Sequence, residues 1–249
     1  MAKPHPMIAG NWKMNGLQGS LVEAQKIAAA LSSALPWGRA AICPPTTLIH
    51  RMADALKGGP VLVGGQDCRA ENSGAFTGDV SAEMLADAGA SLVILGHSER
   101  RAGHGEGDAL VAAKVSAALR AGLEPIICVG ETLAERQAGV ALDIVTRQVR
   151  ESLPEAISGM AFAVAYEPVW AIGSGLTPTL GEIAEVHDRL RASLVSMFGA
   201  AGSLAPILYG GSVKPSNAKD ILSIDEVGGA LVGGASLNAA DFLGIIDGL

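Results

Sequence analysis

Four side chains in this sequence have the chemistry to move a proton and hold the charge left behind: the carboxylate of Glu167, the imidazole of His97, the ammonium of Lys13 and the amide of Asn11. Glu167 sits in Ala165-Tyr166-Glu167-Pro168-Val169-Trp170-Ala171-Ile172-Gly173-Ser174-Gly175. Pro168 disfavours helical backbone at the residue before it, so Glu167 stays extended at the end of the apolar run Phe162 to Tyr166. Val169 and Trp170 then lie between a proline and two glycines, which reads as a hinged segment. Taken alone, an ordinary strand-to-helix loop with a surface glutamate fits the same residues equally well.

His97 follows the apolar run Leu92 to Leu95 through Gly96 and opens Ser98-Glu99-Arg100-Arg101. At a helix N-terminus the positive end of the dipole disfavours imidazolium, and a neutral ring can donate to a carbonyl oxygen. A structural histidine fits the position as well. Lys13 is the only lysine at a strand end, one residue beyond Trp12 and two beyond Asn11. Cation, amide and neutral donor together would stabilise an oxyanion, with Glu167 opposite as base. No Ser-His-Asp or Cys-His arrangement competes, and no metal-ligand spacing occurs. This set of groups describes proton abstraction next to a carbonyl.

Two further segments, Tyr209-Gly210-Gly211-Ser212-Val213 and Val232-Gly233-Gly234-Ala235-Ser236, each put paired glycines after an apolar run and ahead of a helix. Exposed backbone N–H groups backed by a helix N-terminus suit an anion. One Gly-Gly is usually a tight turn, but two at matching places favour phosphate, and hence a small phosphorylated substrate.

These residues need a scaffold, and the chain supplies a regular one. Apolar runs at Met7 to Lys13, Ala40 to Cys43, Val61 to Val63, Leu92 to Leu95, Pro125 to Val129, Phe162 to Tyr166, Ile207 to Tyr209 and Gly229 to Val232 alternate with helical periodicity. The helices are expected near Leu21 to Leu35, Thr47 to Leu56, Ala82 to Ala88, Ala109 to Arg120, Leu142 to Leu153, from Thr179 onward, Ser216 to Leu222 and Ala239 to Ile246. Thr179 and Glu182 have capping-box spacing, and Ile183, Val186, Leu190 and Leu194 mark one buried face. Eight strand–helix units of about 31 residues suffice for parallel crossovers, and a (β/α)8 barrel closes them as one domain over residues 1–249. The strand carboxyl ends then collect Asn11, Lys13, Gln66, His97, Glu99, Glu131, Glu167 and Ser212. The paired glycines fall after strands seven and eight, the phosphate position of that architecture.

Composition agrees. Of 249 residues 49% are hydrophobic, only 17% charged and 4% aromatic, so the core must be built from Ala, Val, Ile and Leu, as in a parallel sheet covered by helices. Cys43, Cys68 and Cys128 are few and odd in number, which argues against a disulfide framework and suits a reducing cytoplasm. The apolar runs are too short to span a bilayer, and the first residues lack the apolar core of a signal peptide. A net charge of −7 argues against non-specific nucleic-acid binding.

The motifs Gly10-Asn11-Trp12-Lys13-Met14-Asn15, Gly96 to Arg101, Cys128-Val129-Gly130-Glu131-Thr132, Ala165 to Gly175, Tyr209 to Val213 and Val232 to Ser236 resemble the triosephosphate isomerase family, and the similarity runs the length of the chain. The resemblance implies a cofactor-independent aldose–ketose isomerase acting on a small phosphorylated sugar. Glu167 would shuttle the proton, a pairing with neutral histidine for which this family is itself the standard example. His97 would polarise the carbonyls, Lys13 and Asn11 would bind substrate and set the electrostatics, and Glu99 would steady Lys13. Gly173, Ser212, Gly233 and Gly234 would hold the phosphate, and the segment Pro168 to Leu176 would close over it. Cys128 and Glu131 would lie behind the catalytic groups, with a packing role equally open to Cys128. The loop Gln66 to Asp79 resembles one that reaches into a neighbouring subunit, with Thr77 near that subunit's Asn11 and Lys13, which implies a homodimer. Three positions depart from the family pattern: Leu176 where lysine is usual, Pro178 where a small residue is common, and Asp67 in place of asparagine. An isomerase of a four-carbon sugar phosphate and a catalytically silent phosphosugar-binding protein are the alternatives. An intact set of Asn11, Lys13, His97 and Glu167 weighs against the second.

Overall fold

The computed structural model describes residues 5–31, 38–172 and 176–249; Leu35, expected on the first helix, and Gly173 lie outside them. Eight strands form one closed, all-parallel ring in chain order: β1 (Met7–Asn11), β2 (Arg39–Cys43), β3 (Val61–Gly65), β4 (Leu92–Leu95), β5 (Glu124–Val129), β6 (Ala163–Tyr166), β7 (Ile207–Tyr209) and β8 (Gly229–Val232). Closure comes from β1, which pairs with β2 through Met7 and Arg39 and with β8 through Met7 and Gly229. The (β/α)8 barrel expected from the alternation is the fold.

Side chains alternate across each strand, and the ring therefore has two cores. Met7, Ala9, Cys43, Leu92, Ile94, Ile126, Cys128, Ala163, Ala165, Leu208 and Leu231 pack together inside it. Ile8, Ile42, Val93, Ile127, Val164, Tyr166, Ile207 and Tyr209 face the helices. Parity then decides where the functional residues point. Asn11 continues the inward series of Met7 and Ala9, and Glu167 continues that of Ala163 and Ala165, so both reach the mouth of the ring without any special turn.

The helices are α1 (Leu21–Ala30), α2 (Ile49–Ala55), α3 (Ala82–Asp87), α4 (Ser98–His104), α5 (Asp108–Arg120), α6 (Leu133–Gln137), α7 (Ala141–Ser152), α8 (Leu180–Phe198), α9 (Ala200–Leu204), α10 (Pro215–Leu222) and α11 (Ala239–Ile246). The Thr179–Glu182 capping box forms, with the Thr179 hydroxyl accepting from the Glu182 N–H at 3.2 Å and Glu182 accepting from the Thr179 N–H at 2.8 Å. Ile183, Val186, Leu190 and Leu194 are buried as their spacing requires. Burying each such side chain stabilises the fold by ~1.5–3 kcal/mol. None of the described helices is long and apolar enough to cross a membrane.

Boundaries of β2, β3, β5 and β6 shift by one or two residues from those expected, and the shift at β1 bears on the site. The first strand ends at Asn11, not Lys13, because the Asn11 amide oxygen accepts the Lys13 N–H at 3.0 Å and folds the chain back on itself. Lys13 has a φ of 53°, the left-handed region, and among described residues it is the only non-glycine there. Strain of this kind costs roughly 1–3 kcal/mol and persists only where surroundings enforce it.

Candidate active site

A cavity of about 460 Å³ opens at the carboxyl ends of the strands, lined by Asn11, Lys13, His97, Glu99 and Glu167 on one side and by Gly210–Lys214 and Gly233–Ala235 on the other. Every described member of the expected set is in it except Thr77. Gly173 lies outside the described residues.

The Glu167 backbone is pinned where β5 and β6 end, its N–H donating to the Val129 carbonyl at 2.7 Å. Glycine is obligatory around it. A Cβ at Gly130 would land on the Glu167 carbonyl oxygen, and one at Gly210 would lie 2.9 Å from Glu167 Cγ. The carboxylate is 2% exposed and fully engaged: Oε2 accepts the Ser98 N–H at 2.8 Å and Oε1 lies 2.7 Å from His97 Nε2.

His97 caps α4, its Nδ1 accepting the Glu99 N–H at 3.2 Å. An accepting Nδ1 carries no proton, so the ring is the neutral tautomer whose Nε2–H donates to Glu167. Neutral imidazole and carboxylate form a hydrogen-bonded couple aimed into the cavity.

Lys13 is held from three directions. Asn11 takes its N–H, the Gln66 side chain donates to its carbonyl at 2.9 Å, and its ammonium is in contact with a Glu99 carboxylate oxygen. Gln66 also donates to the Cys43 carbonyl at 2.9 Å, tying β2 to the turn. Trp12 crosses to the opposite wall, where its Nε1–H donates to the Ser236 carbonyl at 3.0 Å. Ser236 in turn donates to the Gly233 carbonyl at 2.7 Å, so the turn that bears Lys13 and the glycine loop after β8 are one hydrogen-bonded unit. After β7, Asn217 accepts the Lys214 N–H at 2.7 Å and donates to the Ser212 carbonyl at 3.1 Å.

Behind the site Glu131 is completely buried, and its Oε1 accepts from Arg136 Nε at 3.0 Å, the Tyr166 hydroxyl at 3.1 Å and Trp170 Nε1 at 2.9 Å. The near end of the expected closing segment is therefore anchored to the barrel. At its far end Leu176 is half exposed and Pro178 buried. Burial, and then the nearby Glu167 carboxylate, push the Cys128 thiol well above its ordinary range, so Cys128 is a packing residue and no nucleophile. A second cavity of about 200 Å³, lined by Ser98, Arg101, Cys128 and Gln148, reaches the rear of Glu167.

Three contributors escaped the sequence reading. Arg136 left a trace, since Thr132 and Glu135 have capping-box spacing and announce the short helix that carries it. Arg101, which ties the Gly96 carbonyl at 2.9 Å to the Cys128 carbonyl at 3.3 Å, left none, because its partners are brought to it only by the fold. Lys214 lines the cavity from a loop and not from a strand end.

A closed parallel barrel whose mouth joins a carboxylate–imidazole couple, a fixed lysine and two glycine loops defines an α/β-barrel of the sugar-phosphate isomerase class. The family model for triosephosphate isomerase matches residues 6–249. Triosephosphate isomerase of Caulobacter vibrioides is 61% identical over 246 residues, covering 99% of this chain and 97% of that protein. The Xanthobacter flavus protein of that name is 57% identical over 244 residues, covering 98% and 97%. The crystal structure of triosephosphate isomerase from Bartonella henselae superposes with a TM-score of 0.92 at 51% identity, covering 98% of each chain. The chain belongs to the triosephosphate isomerase family.

Proposed function

We propose that Glu167 is the base, His97 the proton donor to the substrate carbonyl and Lys13 the fixed cation in the interconversion of dihydroxyacetone phosphate and D-glyceraldehyde 3-phosphate. The enzyme is an isomerase of that triose pair. Glu167 takes a proton from C1 of the ketose, the electron pair left behind forms an enediolate, His97 gives its Nε2 proton to O2 and recovers the hydroxyl proton of O1, and the Glu167 carboxyl returns its proton at C2, leaving the aldehyde at C1. The His97 Nε2–H now given to Glu167 is turned to the substrate oxygens, while Lys13 and Asn11 offset the negative charge that develops there. Glu99 steadies the Lys13 ammonium. Ser212, Gly233, Gly234 and Gly173 take the phosphate, and the Pro168–Leu176 segment covers it and excludes water.

One observation carries these roles: a carboxylate and a neutral imidazole 2.7 Å apart share one cavity with the glycine loops. Glu167→Gln keeps the shape and removes the base, whose contribution is typically on the order of 10²–10⁴-fold. A coupled assay on the purified variant should show kcat lowered on that scale with an unchanged melting temperature. Residual turnover within a factor of two of wild type would remove Glu167 from the mechanism.

We further infer a homodimer in a cytoplasmic setting, with residues 1–249 acting as one domain. Met14 and Leu17 are 95% and 80% exposed beside Lys13, apolar side chains left in contact with water at a cost. Residues 71–79, Thr77 among them, form a wholly exposed loop. Arg69 braces it, bonding Glu71 and Asp79 at 2.9 Å each and stacking 3.9 Å from the Phe76 ring centre. A braced loop and a bare apolar patch beside the active lysine suit reciprocal insertion between two copies. Three free, buried cysteines suit a reducing compartment.

A further inference from the structure

The charges facing the cavity do not favour a phosphate dianion if Lys13 is the only cation. Glu99 and Glu167 both line it, His97 is neutral by its hydrogen bonding, and the Lys13 ammonium is already in contact with Glu99. With Lys214 set aside, two carboxylates face one ammonium, on a molecule whose net charge is −7. A dianionic substrate would approach an excess of negative charge.

Lys214 restores the balance. It lines the same cavity, next to Ser212 and across from Gly233, and is exposed at the rim. Among the described residues it is in no ion pair, whereas Lys13 is paired with Glu99. Its root is fixed, because Asn217 bonds the Lys214 N–H and the Ser212 carbonyl together. The lysine therefore emerges from the loop that ends β7 at a set place, with a flexible stem and an uncommitted ammonium.

We propose that Lys214 is a second substrate-binding cation, which draws the phosphate dianion to the cavity and holds it from the rim while Lys13 serves the reacting carbon atoms. The proposal rests on the placement of the phosphate at the glycine loops. A rim charge acts on encounter and on salt dependence more than on chemistry. Lys214→Gln should raise KM and the inhibition constant of inorganic phosphate together, by about two- to fivefold, the scale of one exposed charge. It should also flatten the fall of kcat/KM with ionic strength and leave kcat within a factor of two. Lys214→Arg should restore all three readouts, and Lys214→Glu should exceed the effect of Gln. Ser212→Asp, which puts a carboxylate where the phosphate is placed, separates the two readings. If it weakens inorganic phosphate and Lys214→Gln does not, the loops bind phosphate and Lys214 has no part. If neither variant moves that constant, the phosphate lies elsewhere and the proposal falls with its premise. A drop in kcat at unchanged KM in Lys214→Gln would likewise overturn it.

Discussion

His187 on α8 is an imidazole buried away from the cavity, and its chemistry links the fold to pH. Its Nδ1–H donates to the Glu226 carbonyl at 3.2 Å, its Nε2 has no partner among the described residues, and its ring packs 5.9 Å from Tyr166 and 6.5 Å from Tyr209. Burial holds its pKa down from 6.5 to about 4, with nearby Arg191 acting in the same direction. A histidine in the unfolded chain takes up its proton near 6.5, where the folded one does not. The unfolded state therefore binds more protons between those values. His187 costs nothing above pH 6.5, and stability is lost as pH falls from 6.5 towards 4, by up to ~3 kcal/mol. Urea midpoints measured across that window should fall less steeply for His187→Gln than for wild type. Equal slopes would place the dependence in other groups. The strand-end positions of Asn11 and Glu167 made them legible as residues at the mouth of the barrel, and the helix-start position of His97 pointed to a neutral ring; the parity that turns the first two inward and the tautomer of the third came with the fold. The orphan Nε2 of His187 was not legible, because a histidine on a helical stripe looks the same whether or not a partner waits across the packing.

Between elements, α5 is bound to the loop after β3 by a charge cluster that no local pattern announces. Lys114 lies 2.7 and 3.0 Å from the two Asp67 oxygens and 2.7 Å from Glu106, while Arg100 lies 2.9 Å from Asp67 and 2.7 Å from Glu106. Burial raises the Asp67 pKa in spite of Lys114. For Glu106 burial acts in the same sense, but Lys114 and Arg100 outweigh it and the pKa is lowered. Asp67 gives the cluster two anions for its two cations. Lys114→Met should leave two carboxylates facing one guanidinium and cost roughly 3–5 kcal/mol. Adding Asp67→Asn should recover part of it, since Glu106 then keeps Arg100 to itself. Urea denaturation of the single and double variants checks this, and a double variant no more stable than the single would mean that shape, not charge, sets the loss. Apolar periodicity and its alternation with short apolar runs made elements readable, down to α3 and α10. α8 announces itself by its stripe and its cap, while α6 and α9, five residues each, are too short to complete an amphipathic pattern.

For the whole molecule, the exposed loop and the apolar surface beside Lys13 make assembly and activity one question. If the proposed dimer is right, removing residues 72 to 76 should yield a monomer by sedimentation whose turnover falls with its loss of association, because in that dimer Thr77 is what the loop presents to the other copy's Lys13 turn. A fully active monomer would contradict that. The closed ring bears on a different matter, the way the protein is lost. A sheet without edges offers nothing for another chain to pair with, so the folded enzyme is shielded from strand-by-strand aggregation. Its pairing is not uniform, however: β7 and β8 share a single register pair, Tyr209 with Ala230, and β3 and β4 only two. A barrel that parts at the β7–β8 seam converts one endless sheet into an open one with two sticky margins, and does so between the loops to which we assign the phosphate. Substrate bridging those loops as proposed would act as a clasp on the seam, and would be expected to slow irreversible inactivation of the enzyme.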